Sequence, residues 1–149
     1  MATAEQIYAD PSALARLYLH QPGSRQMVAW RNRVTGALPV THHGRAEVIN
    51  AISLAVFRGE ITADQAVGSQ DWFAEDFVTG ELAQADILWR AALNRAAELS
   101  RRHTPQLGVR SLDVLHVACA LELKLRHFLT FDDRQAKLAA ATGLKLIRL

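Results

Sequence analysis

Four acids carry the chemistry this sequence offers: Asp10, Glu47, Asp113 and Asp132. Asp10 ends the apolar run Ile7-Tyr8-Ala9, and Asp132 follows another, His127 to Thr130. Asp113 falls in the first turn of an apolar helical pattern beginning at Ser111, and Glu47 in the first turns of one beginning at His42. A carboxylate in apolar surroundings is costly unless it meets a cation, hydrogen bonds or water. In an open parallel sheet, ligand sites form at strand C-termini, the edge that helix N-termini also face. All four acids are therefore expected to converge there. A hard divalent cation, Mg²⁺ or Mn²⁺, relieves their mutual repulsion and leaves room for waters and a substrate phosphate. Such a metal positions and acidifies a water for in-line attack on a phosphodiester.

Each acid also has a structural role open to it. Asp10 before Pro11 suits a helix N-cap, Asp113 favours its helix dipole, and Asp132 can cap the helix that follows. Asp133, next to Asp132, reads as a solvated neighbour. The case rests on the four lying at one edge, not on any of them alone.

The elements that must position them alternate. Short apolar strands are expected at 7–9, 37–41, 77–82, 127–130 and 144–149. Between them helical patterns carry Ala13 to Tyr18, Met27 to Trp30, His42 to Arg58, a Thr62-capped stretch to Phe77, and Gln84 to His103. Thr104 to Arg110 reads as a loop, Ser111 as the cap of the next helix, and Arg134 to Ala141 as the last helix. In the helix from His42, the apolar set is Ala46, Ile49, Ile52, Leu54, Val56 and Phe57; in the one capped by Thr62 it is Ala66, Trp72, Phe73 and Phe77. The pattern predicts an α/β fold, a mostly parallel sheet of about five strands with helices on both faces.

A chain of 149 residues, 50% hydrophobic, fits one domain with a real core. Its net charge of +2 announces no polybasic nucleic-acid or membrane partner, although arginines spread along the chain suit a phosphate-bearing substrate. Cys119 is the only cysteine, which excludes an intrachain disulfide. Met1 to Gln6 does not resemble a secretory signal and no apolar run reaches membrane-spanning length, so a cytoplasmic protein without a membrane partner is expected.

Other chemistries fit less well. His116 lies three residues from Asp113 but among Leu115, Val117 and Ala118, and is assigned to the core. His42-His43 lacks a second cluster at zinc-ligand spacing. The glycines are isolated turn residues, not a phosphate loop. Ser12 has no base and orienting acid beside it, so a hydrogen bond to a metal ligand or water suits it better than nucleophilic attack.

These residues resemble those of PIN domains, and among them the VapC-type ribonuclease toxins of VapBC toxin–antitoxin pairs. IYADPSALARLY resembles the family's opening strand and first acid, and HHGRAEVINAI its glutamate helix. RSLDVLHVACALEL followed by HFLTFDDR is the most specific part. The resemblance spans nearly the whole chain. It implies a PIN-like three-layer sandwich and a metal site of Asp10, Glu47, Asp113 and Asp132, with Ser12 and Thr130 as polar support. It further implies Mg²⁺- or Mn²⁺-dependent cleavage of RNA, a homodimer, and inhibition by a cognate VapB-type antitoxin that blocks the site. Pro11 departs from the family, where a threonine is usual. Two other functions use the same acids: a PIN-fold binding protein with weak or no catalysis, and a metal-dependent phosphatase or DNA nuclease.

Overall fold

The innermost strand of the computed structural model, which describes residues 2–149, is β1 (Ile7–Ala9), buried along its whole length. It pairs in parallel with β4 (His127–Leu129), and β4 pairs with β5 (Lys145–Leu146). On the other side of β1 lies β2 (Leu38–Thr41), itself paired in parallel with β3 (Leu82–Ala85). Hydrogen-bonded ladders thus form a three-stranded and a two-stranded sheet set side by side. Parallel strands with both faces covered are near-continuous apolar runs.

Two cores follow from the two-residue period of β1. Ile7 and Ala9 point into one, packed by α1 (Pro11–Tyr18), α2 (Ser24–Arg33), α3 (His42–Phe57) and α4 (Ala63–Thr79). Tyr8 points into the other, under α5 (Trp89–Leu107), α6 (Ser111–Glu122) and α7 (Asp133–Ala141). Leu129 and Phe128 divide between the cores in the same way. Each large apolar side chain so buried contributes about 1.5–3 kcal/mol. The result is helices, sheet, helices: the three-layer α/β sandwich.

Several expected boundaries move. Phe77 to Thr79 is the end of α4, not a strand; Gly80 stops that helix at φ 88°, and the strand is Leu82–Ala85. Gln84 therefore belongs to β3 in register with Val40, and α5 starts only at Trp89. The expected loop at Thr104 is the last turn of α5, which continues through Pro105 to Leu107 before Gly108 at φ 63°. A proline so near the helix end forfeits only a late hydrogen bond. Arg110, not Ser111, occupies the N-cap of α6, and its side chain makes no capping bond. α7 begins one residue early, at Asp133. β4 ends at Leu129, and the last strand shrinks to Lys145–Leu146. Phe57, Leu54 and Trp72, expected inside, are exposed; Val48, Ile52 and Ala55 form the buried stripe of α3.

Candidate active site

Asp10 stands where β1 turns into α1. Its carboxylate accepts the Ala13 amide at 3.0 Å, capping α1, and the Ser12 hydroxyl at 2.8 and 2.9 Å. A third donor arrives from the neighbouring strand end, Thr130 Oγ1 at 3.0 Å. Pro11 fits this turn without strain, since the first helical position needs no amide donor. Asp10 is only 3% exposed, and burial raises its pKa against the hydrogen bonds that lower it.

Thr130 is the junction of the site. Its Oγ1 accepts the Asp132 amide at 3.0 Å, and its single hydroxyl hydrogen is shared between Asp10 Oδ2 and Gln135 Oε1, the latter 2.7 Å away. Gln135 is fully buried; its amide nitrogen donates to the Asp113 carbonyl at 3.0 Å, which fixes Oε1 towards Thr130. The Gln135 backbone amide in turn donates to Asp132 Oδ1 at 2.8 Å, capping α7. One connected set of hydrogen bonds thus ties Asp10, Asp132 and the first turn of α6 together. Thr130 and Asp132 belong to the turn after β4, so the sheet places them beside Asp10.

Asp113 and Asp132 line one cleft with Gly108, Val109, Arg110, Asp133 and Arg134. Arg110 Nε donates to Asp113 Oδ2 at 3.3 Å, and its Nη2 lies 4.0 Å from Asp132 Oδ2. Burial raises the pKa of Asp113; Arg110 pulls it back, and the nearby Asp132 carboxylate pushes it up again. Asp133 is exposed.

Glu47 opens on the adjoining groove between α1 and α3, with Ser12, Arg16, Asn50 and Leu112. Its carboxylate is held from behind. His116 Nε2 lies 3.1 and 3.2 Å from its two oxygens, and His116 Nδ1 is 2.6 Å from the Tyr8 hydroxyl. Burial raises the Tyr8 pKa well above the phenol range, so Tyr8 keeps its proton and donates it to Nδ1. Facing two carboxylate oxygens, His116 Nε2 carries a hydrogen and donates to Glu47. The reading of His116 as a core histidine agrees with its full burial, yet it touches a predicted site acid.

The four acids approach one another without closing into a single cluster: among the described residues, no three of them bring oxygens within 4.8 Å. The trio that does so is His43, Glu47 and His116. His43 stacks on His116 with ring centroids 4.3 Å apart, and Trp89 meets it edge-on. Burial and the neighbouring His116 bring the His43 pKa down to about 4. Sequence reading set His43 aside, although its four-residue spacing from Glu47 on one helix was visible. Gln135 gave no signal, because a polar residue at helical spacing looks like surface.

One buried acid, Asp10, and three part-buried ones thus lie at the C-terminal edge of a parallel α/β sandwich. The PIN domain model matches residues 7–141, and the chain belongs to the PIN domain family. Among solved structures it is similar to VapC20 of Mycobacterium tuberculosis, a sarcin–ricin loop cleaving toxin: TM-score 0.69, 16% identity, 96% of this chain and 99% of that one. It is also similar to FitAcB from Neisseria gonorrhoeae: TM-score 0.63, 15% identity, 95% and 96% covered. At these identities the likeness is one of fold. No curated protein matches the chain.

Proposed function

We propose that the chain is a divalent-metal-dependent endoribonuclease acting as the toxin of a type II toxin–antitoxin module. The observation that supports it most is the Asp10–Thr130–Gln135–Asp132 hydrogen-bond set. It fixes two acids and the helix turn bearing a third beside a cleft in a PIN domain. Asp10, Asp113 and Asp132, with Glu47 from the adjoining groove, would hold Mg²⁺ or Mn²⁺. The donor set suits a hard ion: every donor is an oxygen, and burial disfavours the charged forms of Asp10 and Asp113, which a cation would offset. Such an ion, when bound, lowers the pKa of a coordinated water and neutralises charge on the phosphate.

The chain's own residues supply the rest. Ser12 and Thr130 orient the Asp10 carboxylate, His116 orients Glu47, and Arg110 offers a guanidinium to a backbone phosphate at the cleft mouth. RNA as substrate, a VapB-type antitoxin as partner and a homodimer as assembly are parts of the same proposal. An antitoxin arginine entering between Asp113 and Asp132 would take the place Arg110 holds. The test is incubation of the purified chain with RNA, with Mg²⁺ or Mn²⁺ and with chelator. Metal-dependent cleavage that Asp113→Asn abolishes is expected; cleavage by that variant sinks the assignment.

A second reading, a PIN-fold binding protein without turnover, draws on the Arg110 contacts to Asp113 and Asp132, which already balance part of the acid charge. Calorimetry separates the two, since no heat with Mg²⁺ or Mn²⁺ favours the binding protein.

A further inference from the structure

We propose that His43, Glu47 and His116 form a second metal site, for a borderline-soft divalent ion of the Zn²⁺ class, beside the all-oxygen acid site. Each offers one ligand atom, and the three atoms lie within 4.8 Å of one another. His43 and Glu47 are four residues apart on α3, so they project from one face a turn apart, as chelating pairs on zinc-binding helices do. His116 reaches across from α6. Two imidazoles with one carboxylate favour Zn²⁺ and its transition-metal neighbours over Mg²⁺.

The state of His43 points the same way. Both its ring nitrogens are buried and, among the described residues, neither has a hydrogen-bond partner, a condition folded proteins seldom tolerate. Trp89 and His116 pack on the ring's edge and face and leave its nitrogens unused. A metal ion gives one of them a partner, although the two stacked imidazoles must tilt apart for both lone pairs to meet it.

The surroundings can accommodate the change this demands of His116. Its Nε2 must lose the proton now aimed at Glu47, and Nδ1 must gain one. Tyr8 accepts from Nδ1–H once its own hydroxyl turns to Thr41 Oγ1, 3.4 Å away. The imidazole's single N–H moves from one nitrogen to the other, with no net proton released. A ligating histidine whose second nitrogen donates to an oxygen is the usual arrangement at metal sites. Ligand atoms must close to roughly 3.3 Å, the spacing set by metal–nitrogen bonds of about 2.0–2.1 Å in a tetrahedral array. Entry is from the Glu47 side, where that side chain is 31% exposed.

Occupation would withdraw Glu47 from the acid site, so Zn²⁺ would oppose Mg²⁺-dependent cleavage. This consequence rests on the nuclease reading; metal binding by the trio does not.

Co²⁺ is the probe, because its visible absorption reports ligand type and number. The full chain, titrated with Co²⁺ in excess Mg²⁺, is expected to show visible bands saturating at about one equivalent and displaced by Zn²⁺. His43→Gln, at a half-buried position, lowers Co²⁺ affinity by about tenfold or more, while Asp113→Asn stays within about twofold. Thermal unfolding gives a second readout: Zn²⁺ raises Tm in the wild type and Asp113→Asn but not in His43→Gln. No band in the wild type, a band undiminished in His43→Gln, or one lost equally in Asp113→Asn overturns the site. Since none of these outcomes involves RNA cleavage, failure here leaves the nuclease reading standing.

Discussion

The imidazole of fully buried His116 is within hydrogen-bond reach of both carboxylate oxygens of Glu47, at 3.1 and 3.2 Å. A core residue on α6 thereby sets the direction of an acid on α3, and Tyr8 on β1, 2.6 Å from Nδ1, holds the core residue from its other side. His116→Ala should cut RNA cleavage by about 10–100-fold, the range for loss of a residue that orients a metal ligand. It should also lower stability by about 1–3 kcal/mol, since a fully buried ring is lost and the Tyr8 hydroxyl keeps only the longer contact to Thr41 Oγ1 at 3.4 Å. Tyr8→Phe keeps the ring stack on Phe128 and is expected to cost less activity. Cleavage kinetics and thermal melts on both variants check this, and wild-type cleavage by His116→Ala would refute it.

Asp10 and Asp113 have their pKa values raised, chiefly by burial. Between the ordinary value of 3.8 and the raised ones, the folded chain binds more protons than the unfolded chain. Their contribution to stability must then fall as pH rises through that window. His43, held down to about 4 by burial, works the other way and adds stability as pH rises from there to its ordinary 6.5. The carboxylate effect is therefore read as a difference. In chelator the Tm of Asp113→Asn should gain on the wild type as pH rises above 3.8, with Mg²⁺ closing the gap. The gain should reach roughly 2–4 °C at pH 7, the scale of about 1 kcal/mol in a domain this size. A gap that stays level or shrinks with rising pH would contradict it.

Gln135 joins Thr130 Oγ1 to the Asp113 carbonyl while its backbone caps against Asp132. Gln135→Leu retains bulk but removes two buried hydrogen bonds whose remaining ends keep other partners, a loss of about 1–3 kcal/mol at about 0.5–1.5 kcal/mol each. Thr130→Val removes the shared hydroxyl and should lower stability by a similar amount. Because the two act through one set of hydrogen bonds, the double variant should cost less than the sum. Urea unfolding of the two single variants and the double measures this directly, and strict additivity would count against the connected set.

Much of this arrangement was legible in the sequence, for specific reasons. Apolar runs as short as Ile7-Tyr8-Ala9 mark parallel strands because both faces of such strands are buried. The strand Leu82–Ala85 was misplaced because its residues, LAQA, lack β-branched side chains, and pairing with β2 outweighs local preference. The end of α5 was missed because proline usually breaks helices, yet Pro105 sits late enough to be absorbed. Contacts across the sheet left no local trace: nothing near His116 in sequence reveals Tyr8 or Glu47. Likewise a buried Gln135 is indistinguishable from a wet one until α7 is packed against β4.

Arg110 is 81% exposed, yet it leans on Asp113 and towards Asp132. An ion pair so open to water contributes only about 0.2–1 kcal/mol, so the guanidinium can leave readily for a phosphate or give way to a metal. Two effects of opposite sign follow for Arg110→Ala. Removing the competing cation should tighten Mg²⁺ binding by a few-fold, measured by calorimetry without RNA. Removing a phosphate contact should weaken RNA binding across sequences and reduce the slope of log affinity against log salt by about 1. Measuring RNA affinity in chelator keeps the substrate intact, and a salt series gives the slope. Unchanged Mg²⁺ affinity together with an unchanged slope would remove Arg110 from the site altogether. Tighter Mg²⁺ binding with an unchanged slope would make it a counter-ion to the acids alone.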